Sequence, residues 1–514
     1  MMSTPYRRLS LLLSAALLTS ACAVGPNYHQ PDIKTPSAYF ETRDAGKAPL
    51  SRAVPAEADL SQWWRQFKDP VLDDLVAKAL AQNLNLRAAT DRLREARQSE
   101  IVAGAAGLPT VSANGTVARV NTNSQSDLLG NIAGNTGTTG AAGAATTVAN
   151  SISTPSHINL FATNFDATWE IDIFGGVRRG VEEAQANTQA AVWQRRDGEV
   201  SLTAEVANDY VMLRSLQAQI AIAQAEAKTQ ADNFTIIQQQ ARTGFVTRLN
   251  VNQQTAQLES TVAQIPALQA QARVQIHALG VLLGMDPNAL DTQLNGAAPL
   301  PAVPTELPVG LPSNLLLRRP DVRRAERQLA AATAGVGVQV ANLYPKFNIL
   351  AVGPAFASTT TNHLFDAGNA ASLGAGMISW PIFEGGRIRA GIRSAKASAD
   401  EAYLTYQQTI LSALQNVEDD LARYSSDQQR IIALRKSTDA ADNSLTIARQ
   451  QYQVGLVTYI NILQAQETLL SDQNQLTQAN AQLVQDMASL YTALGGGWSA
   501  DEGAALRKSG VSSP

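Results

Sequence analysis

The sequence predicts a mainly α-helical, internally duplicated fold with a few strands that contribute to a transmembrane β-barrel. Three observations lead to this fold class. Only 16% of the 514 residues are charged and 5% aromatic, and the long Ala-, Gln- and Leu-rich tracts are typical of extended helix. A glycine-containing motif recurs 211 residues further along the chain. One segment alternates apolar and polar residues, as a barrel strand does.

The first 22 residues indicate export and lipid anchoring. Arg7 and Arg8 precede an apolar run, Leu9–Leu18, which is too short for a permanent membrane helix. The signal ends at Cys22, the single cysteine of the chain, in a sequence that resembles the lipobox of bacterial lipoproteins. We therefore expect a signal peptide over 1–21 and a covalent lipid, with palmitate among its acyl chains, on Cys22. An ordinary signal peptide is the alternative.

The duplication organises the rest of the chain. Gln239–Thr247 recurs as Gln450–Thr458, and upstream the shift grows to 236 residues. A Gly/Ala/Thr/Asn/Ser-rich tract over 121–157, which we expect to be a mobile loop, accounts for the difference. The resulting division is an N-terminal extended segment (22–64), repeat one (65–290), a linker (291–312), repeat two (313–498) and a disordered tail (499–514).

Each repeat contains a long helix, predicted over 176–243 and 386–454, with the seven-residue apolar spacing of a coiled-coil seam. At 1.5 Å per residue such a helix is roughly 100 Å long. Return helices are expected over 248–284 and 459–495. Stacked on a shorter helix (86–107 or 321–343), each return helix nearly matches the long one, which suggests a tall cylinder of paired helices.

Two strands are expected in each repeat, at about 109–120, 159–173, 345–357 and 371–383. In the clearest of them, 159–173, alternate residues from Phe161 to Ile173 are mostly apolar. The intervening residues are predicted to face a wet lumen: Asn164, Asp166, Thr168, Glu170 and Asp172. A sheet half-covered by a helix is the alternative. The other three strands alternate weakly.

Four strands cannot close a barrel, and an open sheet edge is not tolerated in lipid. Since the smallest spanning barrels have about eight strands, the chain must pool its strands with copies of itself. Three chains would supply about twelve strands, whereas two chains with about eight remain possible on this argument.

Several motifs carry a family resemblance. They are Cys22–Tyr28, Trp63–Phe67 before Asp69-Pro70, Leu317–Val322 and Ala493–Trp498. Together with the duplication they resemble the outer membrane factor family, the TolC-like exit ducts of tripartite efflux pumps and type I secretion. The lipoprotein branch often labelled NodT or OprM-like is the nearest.

The resemblance implies a homotrimer, with a 12-stranded barrel in the outer membrane and an α-helical tunnel in the periplasm. It also implies two protein partners, a periplasmic adaptor (membrane fusion protein) and an inner-membrane transporter, here expected to be of the RND class. Multidrug resistance is the expected physiological context. A lipid-anchored coiled-coil scaffold or adaptor without a channel is the alternative function.

The resemblance also assigns site residues. The turns that end the long helices would dock the adaptor, through Thr243, Gly244, Phe245, Val454, Gly455 and Thr458, although glycine there also permits a left-handed turn. The periplasmic gate would be formed by Leu456, Ile460, Asn461 and Gln464, with coiled-coil packing as the alternative for the two apolar residues. The amides at 461 and 464, where relatives commonly have carboxylates, suggest a neutral gate.

Composition and motifs disfavour other functions. The formal net charge of −4 is unlike the basic face of a nucleic-acid-binding protein. One cysteine and four scattered histidines make a metal site unexpected, and Gly130–Gly143 lacks the lysine of a phosphate-binding loop. No spacing suggests a catalytic nucleophile. We therefore expect neither enzymatic activity nor a cofactor other than the lipid.

Overall fold

The computed structural model describes residues 23–45, 47, 50–54, 59–121 and 157–499. The signal peptide (1–21), Cys22, nearly all of the predicted loop and the tail after 499 lie outside these residues. The chain divides into two compact units. The first consists of residues up to Gln30, Glu95–Thr188 and Arg327–Tyr403; the second consists of Pro31–Arg94, Gln189–Glu326 and the residues from Leu404 onward.

The first unit contains a sheet that has four strands in the described residues: β2 (Thr110–Asn121), β3 (His157–Ile171), β5 (Lys346–Ser358) and β6 (Ala370–Ser379). They lie in the order β2-β3-β5-β6, and each is antiparallel to its neighbours. The register between β3 and β5 shifts between Asn164 and Asp166, which is a local irregularity of the kind that bends a strand.

The pairing of the strands separates apolar and polar residues onto two faces of the sheet. This separation is less evident in any single strand. Residues directly opposite each other share a face, so Thr110, Ser112 and Asn114 lie on the face of Thr168, Asp166 and Asn164. The other face of these two strands carries Val111, Val117, Phe161, Phe165, Ala167 and Trp169. It continues through Phe347, Ile349 and Ala351 of β5. The sheet therefore has one apolar face, opposed by a face that is polar on β2 and β3.

The end of β3 differs from the prediction. The strand ends at Ile171, so Asp172, expected among its lumen-facing residues, is not a strand residue. Its carboxylate accepts hydrogen bonds from the backbone N–H and the Nε of Arg178, at 2.9 and 3.3 Å. A carboxylate near the first turn of a helix is stabilised by the helix dipole and the free N–H groups there. The role of Asp172 is thus to fix the start of the following helix.

The helices of the two repeats have matching lengths. The two long helices, α4 (Gly176–Arg242) and α9 (Arg387–Gln453), have 67 residues each. The return helices, α5 (Arg248–Leu282) and α10 (Tyr459–Ala493), have 35 each. All four boundaries differ between repeats by 211 residues. In the part of the chain that the structure describes, no helix has an apolar stretch long enough to cross a bilayer.

Shorter elements complete the chain. The helices are α1 (Thr42–Ala45), α2 (Pro70–Gln82), α3 (Leu84–Ala105), α6 (Asp291–Leu294), α7 (Pro312–Arg318) and α8 (Pro320–Ala341). The predicted N-terminal extended segment and the predicted linker contact each other through strand pairing. Strand β1 (Arg52–Val54) pairs in parallel with β4 (Glu306–Pro308). Strand β6 stops at Ser379, four residues before the predicted end.

The core of the second unit is built around a tryptophan motif noted in the sequence. Trp63 is fully buried and stacks on Tyr491 of α10, with 5.4 Å between ring centroids. Phe67 packs edge-on against Trp63 at 5.9 Å. Immediately afterwards Asp69 caps α2, since its Oδ1 accepts from Val71 N at 2.9 Å and Pro70 occupies the first helical position. The motif thus fixes α2 next to the C-terminal part of α10.

Candidate functional site

The two turns that end the long helices have the same backbone geometry. Gly244 and Gly455 have φ angles of 80° and 77°. The N–H of Phe245 donates to Gln240 O and that of Leu456 to Gln451 O, each at 2.9 Å. These are the bonds of a Schellman motif, which requires a left-handed residue at the glycine position. A Cβ at either glycine would meet nothing within 4 Å, so the φ angle rather than crowding selects glycine.

Each return helix begins with a Thr–Asn pair. Thr247 Oγ1 lies 2.7 Å from Asn250 Oδ1, and Thr458 Oγ1 lies 3.0 Å from Asn461 Oδ1. Asn250 also accepts from Thr247 N at 3.2 Å. Asn461, which we predicted as a gate residue, therefore accepts a hydrogen bond from the hydroxyl of the threonine that precedes its own helix, whereas the bond to the backbone N–H belongs to Asn250 of the first repeat. The side chain of Asn461 is nevertheless exposed.

The turns present uncovered apolar side chains. Phe245 is 83% exposed and Leu456 75%, and Val454 is also exposed. Thr243 and Thr458 are exposed beside them. Exposed apolar groups clustered in this way are typical of a surface that another protein covers. The residues predicted for docking thus lie at two turns of equivalent structure.

The turn before α10 and the first two turns of that helix have two chemically distinct faces. Leu456 lies in the turn, three residues before α10 begins at Tyr459, and Ile460 and Gln464 lie on the helix. These remaining predicted gate residues are all exposed. On the opposite side Tyr459, Ile462, Leu463 and Gln466 are buried, and the first three belong to a cluster with Ile237, Ala441, Leu445 and Leu469. Within one chain Tyr459, Ile462 and Leu463 supply the packing at this level, and Leu456 and Ile460 are exposed.

Behind this face lies a buried polar network that the sequence analysis missed. Tyr459 Oη donates to Gln254 Oε1 of α5 at 2.5 Å, and Gln254 Nε2 donates to Gln230 O of α4 at 2.8 Å. Gln254 is fully buried, and burial raises the pKa of Tyr459 to about 12, so the hydroxyl stays protonated. A comparison of the two repeats contains the signal for this network. Tyr459 is the equivalent of Arg248, and Gln254 is the equivalent of Ala465, so the repeats differ at both positions.

A cluster of carboxylates lies further along α9 and α10. Asp486 is 3% exposed, and its Oδ1 accepts from Gln482 Nε2 at 2.9 Å. Burial is the largest cause that raises the pKa of Asp486 to about 7, and the carboxylate of Asp427 adds to it. Burial also raises the pKa of Asp420 to about 6. At least part of this cluster therefore holds protons near neutral pH.

The polar face of the sheet is internally hydrogen-bonded. Asn114 Nδ2 donates to Asp166 Oδ1, Thr110 and Thr168 hydroxyls are 2.7 Å apart, and Lys346 Nζ lies 3.8 Å from Glu170. Four of the five predicted lumen residues, Asn164 to Glu170, therefore share one face. Several polar side chains of this face therefore hydrogen-bond one another across neighbouring strands, and they remain exposed to solvent.

Two tryptophans mark equivalent strand ends. Trp169 Nε1 donates to Gly107 O, and Trp380 Nε1 donates to Leu343 O, both at 3.0 Å. The two indoles are 211 residues apart, and the two acceptors 236, which are the shifts found in the sequence. Tryptophan is typical of a membrane–water interface, because its ring is apolar while its N–H forms a hydrogen bond.

Comparisons with known proteins agree with this geometry. The family described as outer membrane efflux protein matches residues 75–285 and 311–496. Pyoverdine export outer membrane protein OpmQ of Pseudomonas aeruginosa is 30% identical over 501 residues, which cover 97% of this chain and 98% of that protein. Nodulation protein T of Rhizobium leguminosarum bv. viciae is 28% identical over 97% of this chain and 96% of its own length.

Solved structures give the same result. The outer-membrane channel OprN is 31% identical and aligns with a TM-score of 0.80, covering 93% of this chain and all of that chain. The open state of the Neisseria gonorrhoeae MtrE outer membrane channel is 25% identical, with a TM-score of 0.77 and coverage of 93% and 99%. The resemblance drawn from the sequence is thereby confirmed. The chain belongs to the outer membrane efflux protein family and is an outer-membrane efflux channel.

Proposed function

We propose that this channel is the exit duct of a tripartite exporter, formed by three copies of the chain. In this proposal twelve strands close a barrel in the outer membrane, and the helices form a periplasmic tunnel. Cargo enters from an inner-membrane pump, expected to be of the RND class, through a periplasmic adaptor. The channel carries out no chemistry of its own. The observation that carries the proposal is the two-faced sheet, whose outer strands β2 and β6 each pair on one side only among the described strands.

The edges of the sheet require a partner in lipid. Among the described strands β2 pairs only with β3, and β6 only with β5. An unpaired backbone N–H or C=O in the hydrocarbon core costs several kcal/mol. A second copy of the chain can supply the missing partner, because its β2 edge is free to pair with β6.

The internal repeat specifies the register of that pairing. Within the chain β3 of repeat one pairs with β5 of repeat two, and Asp166 lies opposite Val352. Shifting each residue to its repeat equivalent places Met377 of one chain opposite Thr116 of the next, and Ser379 opposite Asn114. All four residues lie on the face of Asp166 and Asn164. A shift of this pairing by one residue would place residues of opposite faces against each other.

The turn residues fit the remaining roles. Three copies of the exposed Leu456–Ile460–Gln464 face would form stacked rings at the periplasmic entrance, where apolar rings can gate by dewetting. The uncovered Phe245 and Val454 side chains at the turns would dock the adaptor. Amides rather than carboxylates at 461 and 464 support a neutral gate.

The N-terminal residues support the lipid anchor. Val24 N donates to Phe174 O at 3.0 Å, and Arg179 binds Val24 O at 3.2 Å and Asn27 Oδ1 at 2.6 Å. A Cβ at Gly175 would fall 2.7 Å from the Cα of Ala23. The residue that follows Cys22 is thus held where β3 gives way to α4, next to the end of β3 that carries Trp169. An acyl chain on Cys22 would enter the outer membrane there.

Cysteine crosslinking tests the barrel. In a full-length variant carrying Asn114→Cys and Ser379→Cys, mild oxidation should give covalent dimers and trimers, whereas each single variant and the off-register pair Ser112→Cys with Ser379→Cys should not. Purified protein in planar bilayers should show discrete conductance steps. Monomers that neither crosslink nor conduct would overturn the proposal. Palmitate labelling that disappears in Cys22→Ser tests the anchor separately.

A further inference from the structure

The face of the sheet that the proposed barrel turns to its lumen differs between the two repeats. In repeat one this face is polar from Thr110 to Thr116 on β2 and from Asn164 to Glu170 on β3. Each of its residues in these stretches carries a hydroxyl, an amide or a carboxylate: Thr110, Ser112, Asn114, Thr116, Asn164, Asp166, Thr168 and Glu170. Repeat one therefore supplies a hydrogen-bonding sector of the wall.

In repeat two the same face is mostly apolar. Strand β5 places Val352 opposite Asp166 and Leu350 opposite Thr168. Strand β6 continues the row, since Leu373 lies opposite Val352. We call the apolar side chains of this face the lumen strip, and they are Leu350, Val352, Leu373, Ala375 and Met377.

Strand β6 has the reverse of the usual barrel pattern. A barrel strand normally has apolar residues outside and polar residues inside. On β6 the lipid-facing positions opposite Ile349 and Ala351 are the glycines Gly376 and Gly374. The large side chains at this level, Leu373 and Met377, instead lie on the lumen face. The pattern therefore places apolar groups where the wall of a water-filled duct would otherwise be polar.

Solvent reaches part of the lumen strip. Leu373 is 50% exposed and Met377 48% exposed. Large apolar side chains that adjoin one another on an exposed surface are typical of a site that contacts another molecule. Inside a duct, that molecule is a solute in transit.

The charge next to the lumen strip is negative. Lys346 Nζ lies 3.8 Å from Glu170 and offsets that carboxylate. Asp166 instead accepts from the uncharged amides of Asn114 and Asn164, which leave its charge in place. Since neighbouring strands are about 4.8 Å apart, β6 lies about 10 Å from β3 across β5. A solute that fits both features has an apolar group and a cationic group separated by up to about 10 Å.

We propose, on the basis of the trimeric duct above, that the lumen strip and Asp166 form a low-affinity site in the barrel wall for amphiphilic cations, occupied by cargo on its way out. The apolar group of the solute covers Leu373 and Met377, and its cationic group lies near Asp166. Three copies of the chain give three such sites, separated by the polar sectors of repeat one. Apolar contact of this size is weak, so a bound solute leaves quickly and the duct stays open.

Protection of a thiol tests the site. In full-length protein in liposomes, Met377→Cys places a thiol on the lumen strip and Ser112→Cys places one in the polar sector. Iodoacetamide, which is small and uncharged, should modify both, as measured at each cysteine by mass spectrometry. Phenylbutyltrimethylammonium should slow the modification of Met377→Cys and leave that of Ser112→Cys unchanged. Tetramethylammonium, which lacks the apolar group, should protect neither.

Second substitutions in the Met377→Cys protein separate the two parts of the site. Leu373→Ser should raise the concentration of phenylbutyltrimethylammonium for half-protection about fivefold, as expected for the loss of about 40 Å² of apolar contact. Ile378→Ser, on the opposite face of β6, is the matched control and should leave it unchanged. Asp166→Asn should raise it about twofold, as expected for one charge about 10 Å away in water. Protection by uncharged phenylbutanol should not respond to Asp166→Asn.

The possible outcomes separate this inference from the proposed duct. If both cysteines react but Met377→Cys is not protected, or if tetramethylammonium protects it equally, the inference is overturned. Reaction of Ser112→Cys alone would mean that protein covers the lumen strip, which also overturns it. If neither cysteine reacts and the protein does not conduct ions, the proposed duct itself fails.

Discussion

The buried carboxylate of Asp486 predicts that α9 and α10 hold together more firmly in acid. The pKa of Asp486 is raised from 3.8 to about 7, by burial first and by Asp427 second. In the unfolded chain the group would titrate near its ordinary value. Between those two values the folded protein binds more protons than the unfolded one, so its free energy of unfolding falls as pH rises.

The magnitude follows from the shift. About three pKa units at about 1.4 kcal/mol each correspond to an upper limit of roughly 4 kcal/mol per chain. The stabilisation relative to neutral pH is fully present below pH 4 and is lost as pH approaches about 7. Asp420, with a pKa raised to about 6, adds a smaller change of the same sign.

Asp486→Asn mimics the protonated side chain and should remove most of this dependence. The measurement is urea-induced unfolding in detergent, followed by circular dichroism at pH 5 and pH 8. The wild-type protein should be several kcal/mol more stable at pH 5 on this account, and the variant should show a much smaller difference. Glu467→Gln, at an exposed carboxylate of the same helix, is the control. If Asp486→Asn retained the full wild-type dependence, the reasoning would be refuted.

Further predictions concern the turns and the gate. Gly455→Ala should lower stability by about 1 kcal/mol because alanine resists the left-handed conformation, and an unchanged thermal midpoint would count against this. Tyr459→Phe should cost about 1–3 kcal/mol by leaving the buried Oε1 of Gln254 without its donor, and combining it with Gln254→Leu should cost less than the sum; strict additivity in unfolding experiments would argue against the bond. Leu456→Ala with Ile460→Ala should raise planar-bilayer conductance and antibiotic leakage, whereas wild-type values would remove the gate assignment.

Family and function could be predicted from the sequence because the duplication and the local motifs are strong signals. Helix boundaries follow from residues such as Gly244 and Gly455, whose conformational role is local. Strand boundaries were less accurate, since an alternating pattern continues past Ile171 although the backbone pairing does not. Asp172 was misplaced for this reason.

The contacts between distant helices could not be predicted. Nothing near Tyr459 in the sequence specifies that its hydroxyl meets Gln254, 205 residues away. The face shared by β2 and β3 likewise depends on register, which the weak alternation of β2 alone leaves open. In both cases the missing information is tertiary, although comparing the repeats position by position would have identified Tyr459 and Gln254 as points of divergence.

The hydrogen bond from Thr458 to Asn461 has a consequence for how the ion preference of the proposed gate can change. The oxygen that accepts from Thr458 would also be present in an aspartate, and the first turn of a helix favours a negative charge. If Asn461 lines the gate as proposed, exchange of its amide for a carboxylate would convert an uncharged pore mouth into an anionic one while the bond to Thr458 is kept. Selectivity at this position can drift over evolutionary time with little penalty to folding.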